Sequence, residues 1–179
     1  MKMIRSFLTL KLEKKITSVF LNIIRKMSSE QNDVIVQNIR DKGVIILNRP
    51  KALNALNLSM VNKIYPILKR MGIGKNTCNY KRSREKAFCA GGDVRAVVEA
   101  GLKGEKLGHE FFKQEYITNG LIGSYKIPYI AFIDGIVMGG GVGLSVHGHY
   151  RIATERTLFA MPETQIGLFP RCRRFILFT

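Results

Sequence analysis

Two glycine-rich stretches and two glutamates are the residues through which this chain could do chemistry. Cys89-Ala90-Gly91-Gly92-Asp93 and Met138-Gly139-Gly140-Gly141-Val142-Gly143 each lie where an apolar run gives way to a helical pattern. The first N–H groups of a helix have no backbone partner, and glycine lets a ligand oxygen approach them closely. Two such junctions facing one another would form an oxyanion hole. Neither stretch satisfies G-x-G-x-x-G, and no G-x-x-x-x-G-K-[ST] occurs, which disfavours a phosphate cradle. Taken alone, each cluster reads first as a close helix–strand packing site and only second as a catalytic one.

Glu163 follows Pro162 in an apolar setting, where burial would raise its pKa and suit it to proton transfer or nucleophilic attack. It reads as readily as a helix-start carboxylate bonded to backbone N–H groups. Glu115, in Phe111-Phe112-Lys113-Gln114-Glu115-Tyr116, reads first as a solvated charge on a helix face. His147-Gly148-His149 is too short and too isolated for a metal site, so no metal is expected and both histidines read as structural or surface residues.

The elements that must position these groups follow from periodicity. Val34, Val36 and Ile39 alternate, Asp41-Lys42-Gly43 reads as a turn, and Val44–Leu47 is an apolar run before Pro50, together a β-hairpin. Leu56, Met60, Ile64, Ile67 and Leu68 recur at helical spacing, with Pro66 expected to kink the helix. Beyond Met71 the pattern dissolves. A short apolar piece before Gly91, a helix opening at Asp93 and an amphipathic helix around Glu115 come next. Ile127–Met138 reads as one buried strand, the second glycine cluster as a helix start, and Tyr150–Pro170 as a strand with an acidic turn. Strands alternating with helices define an α/β class with parallel crossovers.

Composition narrows the function classes. An apolar content of 46% excludes a disordered chain, and 179 residues suffice for one sizeable core. The net charge of +16 and pI near 10.1 invite a nucleic-acid reading. Yet residues 1–27, 75–84 and 171–179 carry +13 of it, so the remaining body is not basic and no nucleic-acid partner is expected. The three cysteines lack C-x-x-C spacing, which argues against a disulfide framework and suits a reducing compartment. Residues 127–146 are nearly apolar, but Pro128, Asp134 and the glycine density speak for a strand–turn–helix rather than a membrane span. Residues 1–30 are basic, amphipathic and nearly acid-free, in the manner of a mitochondrial transit peptide. A disordered basic leader is the alternative.

NRPKALNAL (48–56), KAFCAGGD (86–93), PYIAFIDGIVMGGGVGLSVHG (128–148) and ATERTLFAMPETQIGLFP (153–170), in this order and spacing, resemble the crotonase superfamily. Within it they look most like its hydrolases of short branched hydroxyacyl-CoA thioesters. The resemblance covers residues 33–170, about half the family's usual length. It implies a spiral of ββα units, incomplete for want of a C-terminal half. It also implies an acyl-CoA partner, with CoA as part of the substrate and no separate cofactor, in the mitochondrial matrix, and it is compatible with a homo-oligomer. By motif position the N–H groups of Gly92 and Gly140 would form the oxyanion hole, with Glu163 as nucleophile or general base. Glu115, Gly140 and Glu163 would contact substrate, and the stretches holding Lys51, Ala52 and Ala90 would hold CoA. Hydratases of the superfamily carry a glutamate three residues after the middle glycine. Gly143 stands there, which favours hydrolysis over hydration.

Two stretches depart from the pattern. The hydrolases continue Asp-Val-Gly-Gly after Gly-Leu-Phe-Pro, and that aspartate is a second active-site acid; Arg171 occupies its place. Codons that spell Arg171–Thr179 can, with one base dropped, spell Asp-Val-Gly-Gly-Ser-Tyr-Phe-Leu. Residues 76–84 likewise permit Leu-Val-Ile-Ile-Lys-Gly-Ala-Gly. Both stretches are therefore expected to be frame-shifted readings, with 171–179 an aberrant tail. As written, the chain is expected to lack a central strand and one catalytic acid, to fold poorly and to hydrolyse little.

Overall fold

Val34–Ile39 (β1) and Lys42–Leu47 (β2) pair antiparallel, with Val34 opposite Leu47 and Ile39 opposite Lys42. The turn between them is Arg40-Asp41, Arg40 standing at φ 55°, so it lies a residue earlier than expected. Gly43 belongs to the strand, where a Cβ would stand 2.6 Å from Met71 Cε. Packing, not turn geometry, requires that glycine. This computed structural model describes residues 32–72, 77–82 and 86–167; the leader and the tail lie outside them.

Asn57 opens the first helix, Leu58–Met71 (α1), by accepting the Met60 N–H at 2.8 Å. The helix continues through Pro66 and buries Met60, Val61, Ile64, Ile67, Leu68 and Met71, the face its periodicity marks out. Thr77–Arg82 (β3) then lies between β2 and Tyr129–Ile133 (β5), parallel to both, with Cys78 opposite Gly43 and Tyr129. The expectation of a missing central strand is thus overturned. The facing edges of β2 and β5 carry N–H and C=O groups that need partners, and sheet context outweighs a residue's own strand preference.

Ala87–Cys89 (β4) leads into Val94–Leu102 (α2) and Leu107–Gly123 (α3). The single strand expected over 127–138 is two: β5 and Ile136–Met138 (β6), broken at Asp134-Gly135. Gly135 has φ 79°, and a Cβ there would strike Lys86 O, so the chain turns sharply under β4. Gly140–Val146 (α4) follows. The closing strand is likewise two, Tyr150–Ala153 (β7) and Leu158–Ala160 (β8), before a 3-10 turn at Pro162–Ile166. Asp134 fixes that second corner, accepting from Thr154 Oγ1 at 2.9 Å and from Arg156 Nη2 at 2.6 Å.

Two sheets result, ordered β1-β2-β3-β5-β7 and β4-β6-β8. Each of the pairs β3–β4, β5–β6 and β7–β8 passes from the large sheet to the small one, and helices follow the first two pairs. That is a spiral of ββα units. Its core gathers Ile45, Leu47, Leu56, Met60, Ile64, Leu68, Phe88, Tyr129 and Leu144, all inaccessible to solvent or nearly so. No helix among the described residues is long and apolar enough to cross a membrane.

Candidate active site

The small sheet ends at both glycine junctions, because β4 feeds the first and β6 the second. Gly91 (φ 105°) and Gly139 (φ 46°) occupy left-handed backbone and touch: a Cβ on Gly139 would stand 3.6 Å from the Gly91 Cα. Each of these glycines immediately precedes one of the proposed donors, Gly92 and Gly140. The neighbouring N–H groups are spent, Leu56 N–H on Gly91 O at 2.7 Å and Asp93 N–H on Leu56 O at 2.8 Å. The Gly92 N–H makes no backbone bond among the described residues. Gly140 is the first residue of α4, so its N–H lies outside the helical ladder.

Both glutamates reach this point. Glu115, expected on a solvated face, is 6% exposed, on the α3 face that also buries Phe111, Thr118 and Ile122. Its Oε1 lies where a Cβ of Gly140 would be, so only glycine admits it. Glu163 sits in the first turn of the Pro162–Ile166 helix, and its Oε1 would be 3.2 Å from a Gly139 Cβ. Its Oε2 is buried without a hydrogen-bond partner among the described residues.

The stretch 48–56 is stitched to the first glycine turn by contacts that periodicity does not reveal. Arg49 donates from Nη2 to Asp93 Oδ2 at 3.0 Å and from Nη1 to Ala55 O at 2.7 Å. Asp93 Oδ1 in turn caps α2 through the Ala96 N–H at 3.3 Å. The fully buried Asn54 accepts from the Arg49 N–H at 2.9 Å and donates to Ala87 O at 3.0 Å. The Ala90 N–H bonds Leu53 O at 3.0 Å. Lys51 is exposed and Ala52 and Ala90 are half-buried.

Gly143 faces Asn119 of α3, with a Cβ there only 2.5 Å from Nδ2, and Asn119 Oδ1 is buried with no partner among the described residues. Asn119 is the residue that reading the sequence missed, its one available signal being a spacing of four from Glu115, while Arg49 lies within the stretch 48–53 expected to hold CoA. Cys89 is buried beneath the site, and desolvation first, then the charge of Glu115, push its thiol up to about 12. Burial lowers the pKa of His147. His149 accepts the Tyr129 N–H at 3.2 Å, and Gly148 between them is required because a Cβ would strike the Tyr129 ring. No cluster of potential metal ligands occurs among the described residues. A cavity of about 210 Å³ is lined by Leu56, Asp93, Val97, Leu107 and Phe111 among others, and neither glutamate lines it.

The chain belongs to the enoyl-CoA hydratase/isomerase family, whose sequence profile matches residues 42–175. It is 58% identical over 147 residues to the 3-hydroxyisobutyryl-CoA hydrolase, mitochondrial, of Danio rerio, an alignment covering 80% of this chain and 38% of that protein. The Homo sapiens protein of the same name is 49% identical over 160 residues, covering 87% of this chain and 42% of that one. The chain thus spans about two fifths of the length of these relatives. Among solved structures, an enoyl-CoA hydratase from Rhodobacter sphaeroides superposes with a TM-score of 0.74 at 37% identity, over 78% of this chain and 42% of that one. A carnitinyl-CoA dehydratase from Mycobacterium thermoresistibile gives 0.76 at 38%, with the same coverage.

Proposed function

We propose that this site hydrolyses a short branched hydroxyacyl-CoA thioester, 3-hydroxyisobutyryl-CoA, to 3-hydroxyisobutyrate and CoA, in valine catabolism. The reading is supported by relatives of that name. It is carried by one observation: a glutamate with an unpaired buried oxygen stands against the junction of two touching glycine turns. The thioester carbonyl would sit between the N–H groups of Gly92 and Gly140, each donor lowering the barrier by about 3–4 kcal/mol as negative charge develops on oxygen. Glu163 would attack the carbonyl carbon itself or take a proton from the water that does. The C–S bond then breaks and CoA leaves as thiolate, to be protonated by solvent; where Glu163 itself attacked, water then cleaves the acyl–Glu163 anhydride, releasing the acid and restoring the carboxylate. CoA arrives with the substrate, so no separate cofactor is needed. The basic leader, together with relatives whose names include "mitochondrial", supports action in the mitochondrion, in the matrix.

Hydration of a double bond is the competing reaction of the superfamily. A glutamate in place of Gly143 would have to displace Asn119, which disfavours it. The test is release of free CoA thiol from 3-hydroxyisobutyryl-CoA by the chain and by its Glu163→Gln variant. Release that falls at least ~100-fold in the variant supports the proposal. Equal rates would mean that Glu163 has no part in it, and no release from either would leave a catalytically silent member of the family.

A further inference from the structure

Leu56 is fully buried, and it touches both glycine turns. Its backbone pairs with the first turn as a parallel β-bridge to Gly92. The Leu56 N–H donates to Gly91 O at 2.7 Å, and Leu56 O accepts the Asp93 N–H at 2.8 Å. In a planar trans peptide the N–H points opposite to the carbonyl of the preceding residue. The Gly91 carbonyl is bonded toward Leu56, so the Gly92 N–H is aimed away from it. The Leu56 side chain meets the second turn: its Cδ1 would lie 3.3 Å from a Cβ at Gly140, and so packs against that glycine. Periodicity groups Leu56 with the apolar face of α1, yet it stands before the Asn57 cap, outside the helix.

We propose that Leu56 is a positioning residue for the two donors: its backbone aims the Gly92 N–H, and its side chain sets how closely the Gly140 turn approaches. The inference rests on the thioesterase reading. Interiors are close-packed, so shortening this side chain removes the surface against which Gly140 rests. The two backbone bonds to the first turn survive, because every residue except proline can make them. Truncation therefore loosens one donor against the other without abolishing either. Such donors act on the oxygen as it takes up charge more than on the ground-state carbonyl. Their misplacement is read in kcat rather than in KM.

The test measures kcat and KM for CoA release from 3-hydroxyisobutyryl-CoA in the whole chain, in Leu56→Ala, in Leu56→Met and in Leu68→Ala. Leu68 is as deeply buried but lies inside α1, so its truncation gauges lost packing alone. Leu56→Ala is expected to lower kcat roughly 10- to 100-fold with KM unchanged within about threefold. Leu56→Met conserves volume and is expected to keep kcat within about threefold of the unsubstituted chain. Leu68→Ala is expected to keep kcat while its melting temperature falls. An unchanged kcat in Leu56→Ala, an equal loss in Leu68→Ala, or a full loss in Leu56→Met overturns the proposal. Infrared spectra of the bound, isotope-labelled thioester carbonyl read the donors without turnover, in the Glu163→Gln background. Its stretch is expected to move to lower frequency on binding, and to move less when Leu56→Ala is added. If the chain releases no CoA, the thioesterase reading fails by itself. A carbonyl shift weakened by Leu56→Ala would then still uphold the role of Leu56, and a shift that is absent or unaltered would overturn it. Should Leu56→Ala not fold, Leu56→Val shortens the side chain less and is read in the same measurements.

Discussion

Asn119 leaves no room for a Cβ at Gly143, and on the proposed reading that contact stands against a hydratase-type glutamate there. Gly143→Glu is therefore expected to lower the melting temperature by several degrees and to confer no hydratase activity, which thermal denaturation and a hydration assay would check. A gain of hydration would show that Asn119 yields. Cys89 offers a test of burial. Its thiol titrates at about 12 in the fold, against an ordinary value of 9.0. The folded state therefore holds a proton that the unfolded chain releases above pH 9. Stability from this group is intact below that pH and is lost at up to about 1.4 kcal/mol per unit as pH rises toward 12. Denaturant unfolding at pH 8, 9 and 10 should show a steeper decline in the native chain than in Cys89→Ala; parallel declines would contradict the burial. At this scale the two glycine turns were legible, because residues that relieve steric limits cluster where backbones approach one another closely. Glu115 was misread, because the Gly140 backbone that buries it is remote in sequence.

At the scale of elements, the two glycine turns hold their relation because the 48–56 stretch is tied to the first of them. Asn54 carries much of that tie, bonding Arg49 and Ala87 from a fully buried position at φ 55°. Asn54→Ala would strand the buried Ala87 carbonyl and the part-buried Arg49 N–H and put alanine in left-handed backbone, and is expected to cost about 2–4 kcal/mol in denaturant unfolding. Arg49→Met keeps the apolar stem and removes the contact to Asp93. It is expected to lower kcat/KM roughly tenfold through a looser Gly92 turn and to lower the melting temperature by a few degrees, because Asp93 and Ala55 O lose a largely buried partner. A large melting shift with unchanged kinetics would make Arg49 a structural residue only. Helices were legible from spacing and caps, as Asn57 and Asp93 show. The corners inside 127–138 and 150–160 were not, because an unbroken apolar run reads the same whether it serves one sheet or two. Only Gly135 hinted at the break.

For the whole molecule, the topology assigns a six-residue strand to Thr77–Arg82, paired along both edges. Strands so placed in parallel sheets are usually near-continuous apolar runs, whereas this one reads Thr-Cys-Asn-Tyr-Lys-Arg. The pattern failed there because it reports side chains, while the strand's place follows from backbone pairing and chain length. The frame-shift expectation keeps its force on that mismatch, and it concerns residue types rather than the strand's existence. Rewriting residues 77–82 to begin Leu-Val-Ile-Ile is expected to raise the melting temperature, and sequencing the transcript across codons 74–86 checks the frame directly. An unshifted frame, or no gain in stability, would make the polar strand native. At Arg171 the same reasoning makes Arg171→Asp an activity-raising substitution, read as thiol release.

The central claim is that the site cleaves a thioester and does not hydrate a double bond. Its most direct test gives the chain 3-hydroxyisobutyryl-CoA and, separately, the corresponding 2,3-unsaturated thioester, and resolves the CoA species by chromatography. The account predicts free CoA from the first and no hydrated product from the second. A hydrated thioester from the second, or an intact first substrate, would contradict it.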